Sequence, residues 1–222
     1  MRPHPLRKKL LGSAARDLRF LLSRGYPRKS AIIFIGNHYQ LHQGERDFLY
    51  RGVFTPEQCA SRRRKKVKVG DLTGERVVID GHNVLITLES AIRGRPLLLA
   101  DDGFVRDISR VFRRFRPSER TRAAWRFVER IFLDYPPGHV TVLLDAPLPR
   151  SRELAARIRD WMVTAGMHGD AEAVARPETT LLAEDGIKAT ADSAIIDRSG
   201  RVFDMAGHII MRRMHIRPVR IP

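Results

Sequence analysis

The sequence predicts an α/β protein in which helices cover a mainly parallel sheet, preceded by a small all-helical lobe. Three observations predict it. Between residues 76 and 203, short aliphatic runs alternate with helical patterns, the mark of βα units and an open parallel sheet. Three of the runs lead to an aspartate: Val77-Val78-Ile79-Asp80, Val140 to Leu144 then Asp145, and Ile187 to Ala191 then Asp192. The first 50 residues show leucines at helical spacing instead.

The elements follow in order. Leu6, Leu10, Leu11, Ala14, Leu18, Leu21 and Leu22 mark a first helix, stopped by Gly25 and Pro27. A second runs through Ser30 to Ile35 and a third covers Glu45 to Arg51, so residues 1–54 form a small basic lobe of helix-turn-helix type. Thr55, Pro56 and Gln58 supply an N-cap, a first-turn proline and a capping box for a helix that runs into Arg62-Arg63-Arg64-Lys65-Lys66-Val67-Lys68. Residues 55–72 read as a basic helix and linker, residues 73–213 as the α/β body, and residues 214–222 as a basic tail.

In the body, strands are expected at Arg76 to Asp80, Pro96 to Ala100, His139 to Asp145, Ala171 to Ala175, Lys188 to Ala191 and Arg201 to Phe203. Helices are expected at Val84 to Ile92, as two helices up to Asp134, at Ser151 to Ala165, from Ser193, and in a last helix to Arg213. The first of the two helices before Asp134 is read from the stripe Phe104, Ile108, Val111, Phe112 and Phe115, with Arg106, Arg110, Arg113 and Arg114 on its wet face. The run Arg212 to Pro218 reads as either a further basic contact or a frayed tail.

Composition narrows the function classes. A chain of 222 residues, 43% hydrophobic, can bury a substantial core. One cysteine excludes an internal disulfide framework and suits a reducing cytoplasm, and no apolar run reaches the roughly 18 residues of a membrane helix. The net charge of +16 is uneven: residues 1–70 hold 17 Lys/Arg against 4 Asp/Glu, leaving 24 against 21 in the remainder. Such asymmetry suits a polyanion held by one part and acted on by another. In that reading Arg62, Arg63, Arg64, Lys65, Lys66 and Lys68 track phosphates; the bland alternative is a solvated linker.

The strand-end aspartates carry the chemistry. Clustered carboxylates repel and raise one another's pKa unless a cation sits among them, and hard oxygen ligands suit Mg2+ or Mn2+. Asp80-Gly81-His82-Asn83 resembles the first motif of the NYN branch of the PIN-like nuclease superfamily, in which a strand ends in Asp-Gly-aromatic-Asn before an aliphatic helix. Asp145 resembles that superfamily's central-strand aspartate, Thr190-Ala191-Asp192 its late Thr-x-Asp, and Asp197 a further acid five residues on. The resemblance covers about residues 75–210 and implies a PIN-like three-layer fold and metal-dependent hydrolysis of a phosphodiester; with the cationic N-terminal lobe to grip it, the expected substrate is RNA. The resemblance gives Asp80 and Asp145 as metal ligands, Asp192 as ligand or water-positioner, and Asn83 and Thr190 as orienting neighbours. The middle acid of the pattern is open between Asp101, Asp102 and Glu89. The whole chain also resembles a group of archaeal and bacterial proteins that join a small helical domain to such a body.

Each acid has a plainer role as well: Asp192 as the N-cap of Ser193 to Ile196, Asp145 as a turn cap before Pro147, Asp80 as an acceptor of backbone amides. No phosphate-loop, dinucleotide-binding, nucleophile-elbow or zinc-helix pattern is present. The rival readings are an RNA- or ribosome-binding protein without catalysis, and a metal-dependent phosphatase of small phosphoesters.

Overall fold

A computed structural model describes residues 7–108 and 115–222, which fall into two compact units. The division departs from the linear one drawn above. One unit holds the chain up to Arg64 together with Pro96–Ile108 and Pro218–Pro222; the other holds Lys65–Arg95 and Ser109–Arg217.

The first unit is built from α1 (Lys8–Ser23), α2 (Arg28–His38), α3 (Gln43–Gly52) and most of α4 (Pro56–Lys65). The capping box foreseen at α4 is formed: the Gln58 amide donates to Thr55 Oγ1 at 3.2 Å, and the Thr55 amide to Gln58 Oε1 at 3.2 Å. Leu11, Leu18, Ile35, Phe48, Leu49 and Leu98 make its core. This unit also contains a small sheet in the order β3-β2-β8, from β2 (Leu97–Leu99), β3 (Val105–Asp107) and β8 (Val219–Arg220). Two expectations are thereby corrected. β2 does not enter the main sheet. The helix expected from Phe104 is a strand over Val105–Asp107, because Gly103, at φ +84°, turns the chain so that the Ala100 amide donates to the Phe104 carbonyl and closes a hairpin. Val111, Phe112, Arg110, Arg113 and Arg114 of that expected helix lie outside the described residues. Beyond the run Arg212 to Pro218, Val219 and Arg220 pair in parallel with Leu98 and Leu99.

The second unit carries the predicted parallel sheet. β1 (Arg76–Asp80), β4 (His139–Asp145), β5 (Gly169–Val174), β6 (Ile187–Ala189) and β7 (Val202–Phe203) lie in the order β5-β4-β1-β6-β7, every neighbouring pair parallel. α5 (Gly81–Ile92), α6 (Glu119–Asp134), α7 (Ser151–Thr164) and α10 (Met205–Arg212) gather together, Trp125 of α6 meeting Trp161 of α7. α8 (Pro177–Ala183), which the sequence reading left without an element, and α9 (Ser193–Arg198) bury Leu181 and Ile195 against Val78 and Leu143. Helices therefore cover both faces, a three-layer α/β arrangement. The near-continuous aliphatic strands are the consequence, since a strand covered on both sides cannot alternate with polar residues.

The topology fixes where a site belongs. From β1 the chain steps to β4 and then β5, returns to the other flank of β1 as β6, and continues to β7. The carboxyl end of β1 is thus the switch point at which ligands of open α/β sheets are bound. Asp80 ends β1.

Candidate active site at the carboxyl edge of the sheet

Parallel register places the first two aspartates. Asp80 pairs with Leu143, so Asp145 stands two residues further along the neighbouring strand. On the other flank Ile79 pairs with Ala189, which puts Thr190 beside Asp80. The Thr190 hydroxyl donates to Asp80 Oδ2 at 2.8 Å, and the Asn83 amide donates to Asp80 Oδ1 at 3.4 Å. The Asn83 side chain in turn accepts the Ala191 amide at 3.0 Å, and Thr190 Oγ1 accepts the Asp192 amide at 3.0 Å. Side chains thus stitch the ends of β1 and β6 together.

Gly81 permits this approach because it has no side chain to collide with β4. A Cβ there would lie 2.7 Å from Leu144 Cδ2 and 3.0 Å from the Leu143 carbonyl oxygen, so only glycine lets α5 start flush against β4. His82 follows, its side chain fully buried. Its Nδ1 lies 2.9 Å from the Asp145 amide nitrogen and 3.1 Å from Asp145 Oδ2, and its ring stands edge-on to Phe115 at 5.3 Å. Asp145 itself keeps 25% of its side chain exposed. Asp192 caps α9 through Oδ1, which accepts the Ala194 amide at 2.8 Å and the Ile195 amide at 3.4 Å.

Electrostatics ties the three acids together. The Asp80 carboxyl is pushed up to about 7, first by burial and then by the charges of Asp192 and Asp145, against the opposing pull of Thr190 and the Asn83 amide. No arginine or lysine is among the groups acting most on it, and among the described residues none pairs with Asp80, Asp145 or Asp192. In a chain of net charge +16, the described residues give this edge no paired Lys or Arg.

The family model described as "Domain of unknown function (DUF5616)" matches residues 69–208. The chain belongs to that family. The DUF5616 segment coincides closely with the α/β body, and a second model, "Protein of unknown function (DUF434)", matches residues 10–65, the helical lobe and α4. The chain is also similar to "Uncharacterized protein MJ0935" of Methanocaldococcus jannaschii, 32% identical over 183 residues, which is 82% of this chain and 87% of that protein. No solved structure matches it.

The remaining predicted ligands of the DUF5616 body stand elsewhere. Asp102 is in the other unit, fully buried, its oxygens held by Arg106 at 2.8 and 2.9 Å and by Arg62 at 2.8 Å. The expectation of a metal ligand is corrected there: its charge is already answered by two guanidiniums. Asp101 is likewise taken by Arg19 at 2.8 Å through both oxygens. Glu89 accepts from Thr121 at 2.6 Å and from Arg93 at 3.1 Å. Asp197 sits five residues past Asp192, which along α9 is about 7 Å of rise away from the strand edge.

The basic run is corrected in part. Arg62 is 2% exposed, stacked 4.1 Å over Phe54, and belongs to the Asp102 ion cluster. Arg63 donates to the Asp101 carbonyl; Lys65 donates to the carbonyls of Ile196 at 3.1 Å and Asp197 at 2.6 Å; Lys66 pairs with Asp204 at 3.1 Å. Arg63, Arg64 and Lys68 remain exposed. Sequence reasoning missed Asp204, although Val202-Phe203-Asp204 is a fourth apolar run ending on an acid. It is 2% exposed and caps α10 at the Gly207 amide.

Among the described residues no three His, Cys, Asp or Glu side chains form a ready metal cage. The donor set at the edge still fits a hard divalent ion, because magnesium is commonly held by one or two carboxylates with water and substrate phosphate completing its octahedron.

Proposed function

We propose that this protein is a metal-dependent ribonuclease hydrolysing phosphodiester bonds at the carboxyl edge of β1, β4 and β6, with Mg2+ or Mn2+ as cofactor. The observation that carries the reading is Asp80: half-buried at the switch point, crowded by Asp145 and Asp192, with no Lys or Arg among the described residues paired to it. Such an arrangement is costly unless a cation from solution binds. The excess of Lys/Arg in residues 1–70 and the resemblance of the Asp80 and Asp192 segments to NYN-type nucleases support RNA as the substrate.

Asp80 and Asp145 would hold the ion, Asp80 kept in orientation by the Thr190 hydroxyl and Asn83 amide, Asp145 by His82. When bound, such an ion polarises the phosphoryl oxygen and makes hydroxide available near neutral pH. Asp192 Oδ1 is taken up by its cap, and Oδ2 is the atom that positions a water. Asn83 locks the β6 end in register with β1 through the Ala191 amide.

The test is to incubate the protein and Asp80→Asn with labelled RNA, single-stranded DNA and a small phosphoester, in Mg2+, Mn2+ or chelator. RNA loss that requires metal and Asp80 is expected. Salt-sensitive binding without cleavage would instead make the chain an RNA-binding protein, and turnover of the small ester alone would make it a phosphatase.

A further inference from the structure

The basic run is drawn largely into contacts within the protein, which leaves the question of what holds a nucleic acid. Another surface has the right chemistry. α1 and α2 form an αα-hairpin, and the Tyr39 hydroxyl just past α2 donates to Asp17 Oδ2 of α1 at 2.5 Å. Phe20 stands one turn along α1 from that tie, and Phe34 and His38 stand on the last turns of α2. Phe20 is 58% exposed and Phe34 63%. A lone exposed apolar side chain is ordinary, so what marks these two is the company they keep.

The aromatics are arranged as flat platforms. Phe34 stacks on His38 with 7° between the planes, His38 meets Tyr39 edge-on at 4.8 Å, and the Arg24 guanidinium lies 4.9 Å over the Phe20 ring. Charge selects among the candidates to cover them. Residues 7–39 carry eight Lys/Arg against one acid, Asp17, and that acid is engaged by Tyr39. Lys8, Lys9, Arg16, Arg24 and Lys29 are exposed. A second copy of such a surface would set cation against cation, whereas a polyanion with flat, unpaired rings matches both features.

We infer that the α1–α2 hairpin is a binding face for single-stranded RNA, in which unpaired bases stack on Phe20 and Phe34 while exposed lysines and arginines follow the phosphates. This deepens the proposed function in taking RNA as its ligand, but it does not depend on cleavage. Duplex RNA buries its base faces and would find only the charges.

The test uses full-length Asp80→Asn protein, to prevent cleavage, with a fluorescent 12-nucleotide oligouridylate and a 12-base-pair RNA duplex, read by anisotropy. The single strand is expected to bind more tightly. Phe20→Ala with Phe34→Ala should weaken it 10- to 100-fold, leaving the slope of log Kd against log salt unchanged, since rings are removed and charges kept. Phe34→Trp, which retains a platform, should keep the affinity. Unchanged affinity in the double variant, equal or tighter duplex binding, or no binding of either RNA would overturn the inference. So would a dimer, detected by light scattering, that the double variant dissociates. Intact single-strand binding beside a wild-type protein that cuts nothing would sink the nuclease reading and leave this one standing.

Discussion

At the scale of single residues, Asp80 bears an electrostatic cost, and the cost has a sign that can be measured. Its carboxyl titrates at about 7 in the folded protein against 3.8 in the unfolded chain, so between those pH values the folded state binds the extra proton. Stability therefore falls as pH rises from about 4 to 7, and the full penalty stands above 7. At about 1.4 kcal/mol per unit it amounts to at most about 4 kcal/mol, less wherever water reaches the oxygens. Asp80→Asn removes the titrating group and keeps the shape. The variant is expected to match wild type near pH 4 and to melt at a higher temperature at pH 8. Adding Mn2+ at pH 8 should raise the melting temperature of wild type alone. Thermal melts across pH, with and without the ion, check both. A wild-type curve that is flat from pH 4 to 8 would show that Asp80 does not carry this burden.

At the scale of elements, Asp192 performs two jobs that substitution can separate. It caps α9, and its charge acts on Asp80. Asp192→Asn keeps an N-cap acceptor and removes the charge, while Asp192→Ala removes both. Asn is expected to melt within about 0.5 kcal/mol of wild type, and Ala to lose about 1 kcal/mol. RNA cleavage should fall at least tenfold in both. Full activity in the Asn variant would reduce Asp192 to a cap. The same segment shows what the sequence could disclose. β1, β4 and β6 were legible because strands buried on both faces leave uninterrupted aliphatic runs, and their order along the chain delivered Asp80, Asp145 and Thr190 to one edge. The small sheet was not legible. β8 is two residues long and its partner lies some 120 positions earlier, so no local pattern announces it. Asp102 was misread for a related reason: an acid after a strand looks the same whether its partner is an ion or Arg62, 40 residues away. Periodicity reports which face is buried, not which charge waits there.

At the scale of the whole molecule, net charge of +16 makes self-repulsion the standing problem, and each unit distributes its acids differently. In the unit containing the helical lobe, Arg28, Arg62 and Arg106 crowd the Phe54 ring at 4.6, 4.1 and 5.0 Å. Burial and then the Arg62 charge lower the pKa of Arg28, while Asp102, bonded to Arg62 and Arg106, is held below the usual carboxylate range by those partners despite its burial. In the α/β unit no Lys or Arg among the described residues pairs with Asp80. Asp102 is thus answered within the protein, whereas Asp80 is the acid to which the proposed ion would bind, and a single protein can show the difference. Asp102→Ala strands two buried guanidiniums and is expected to cost about 3–5 kcal/mol, whereas Arg62→Met, Asp102→Leu and Arg106→Met together should recover most of that loss, since an apolar set of similar volume carries no desolvation penalty. Calorimetry of the single and triple variants measures both. In the triple variant the Mn2+-induced rise at pH 8 and the metal-dependent cleavage should persist at wild-type size, because Asp102 lies outside the site. Their loss in a triple variant that folds would return Asp102 to the metal and undo the division of labour between the acids.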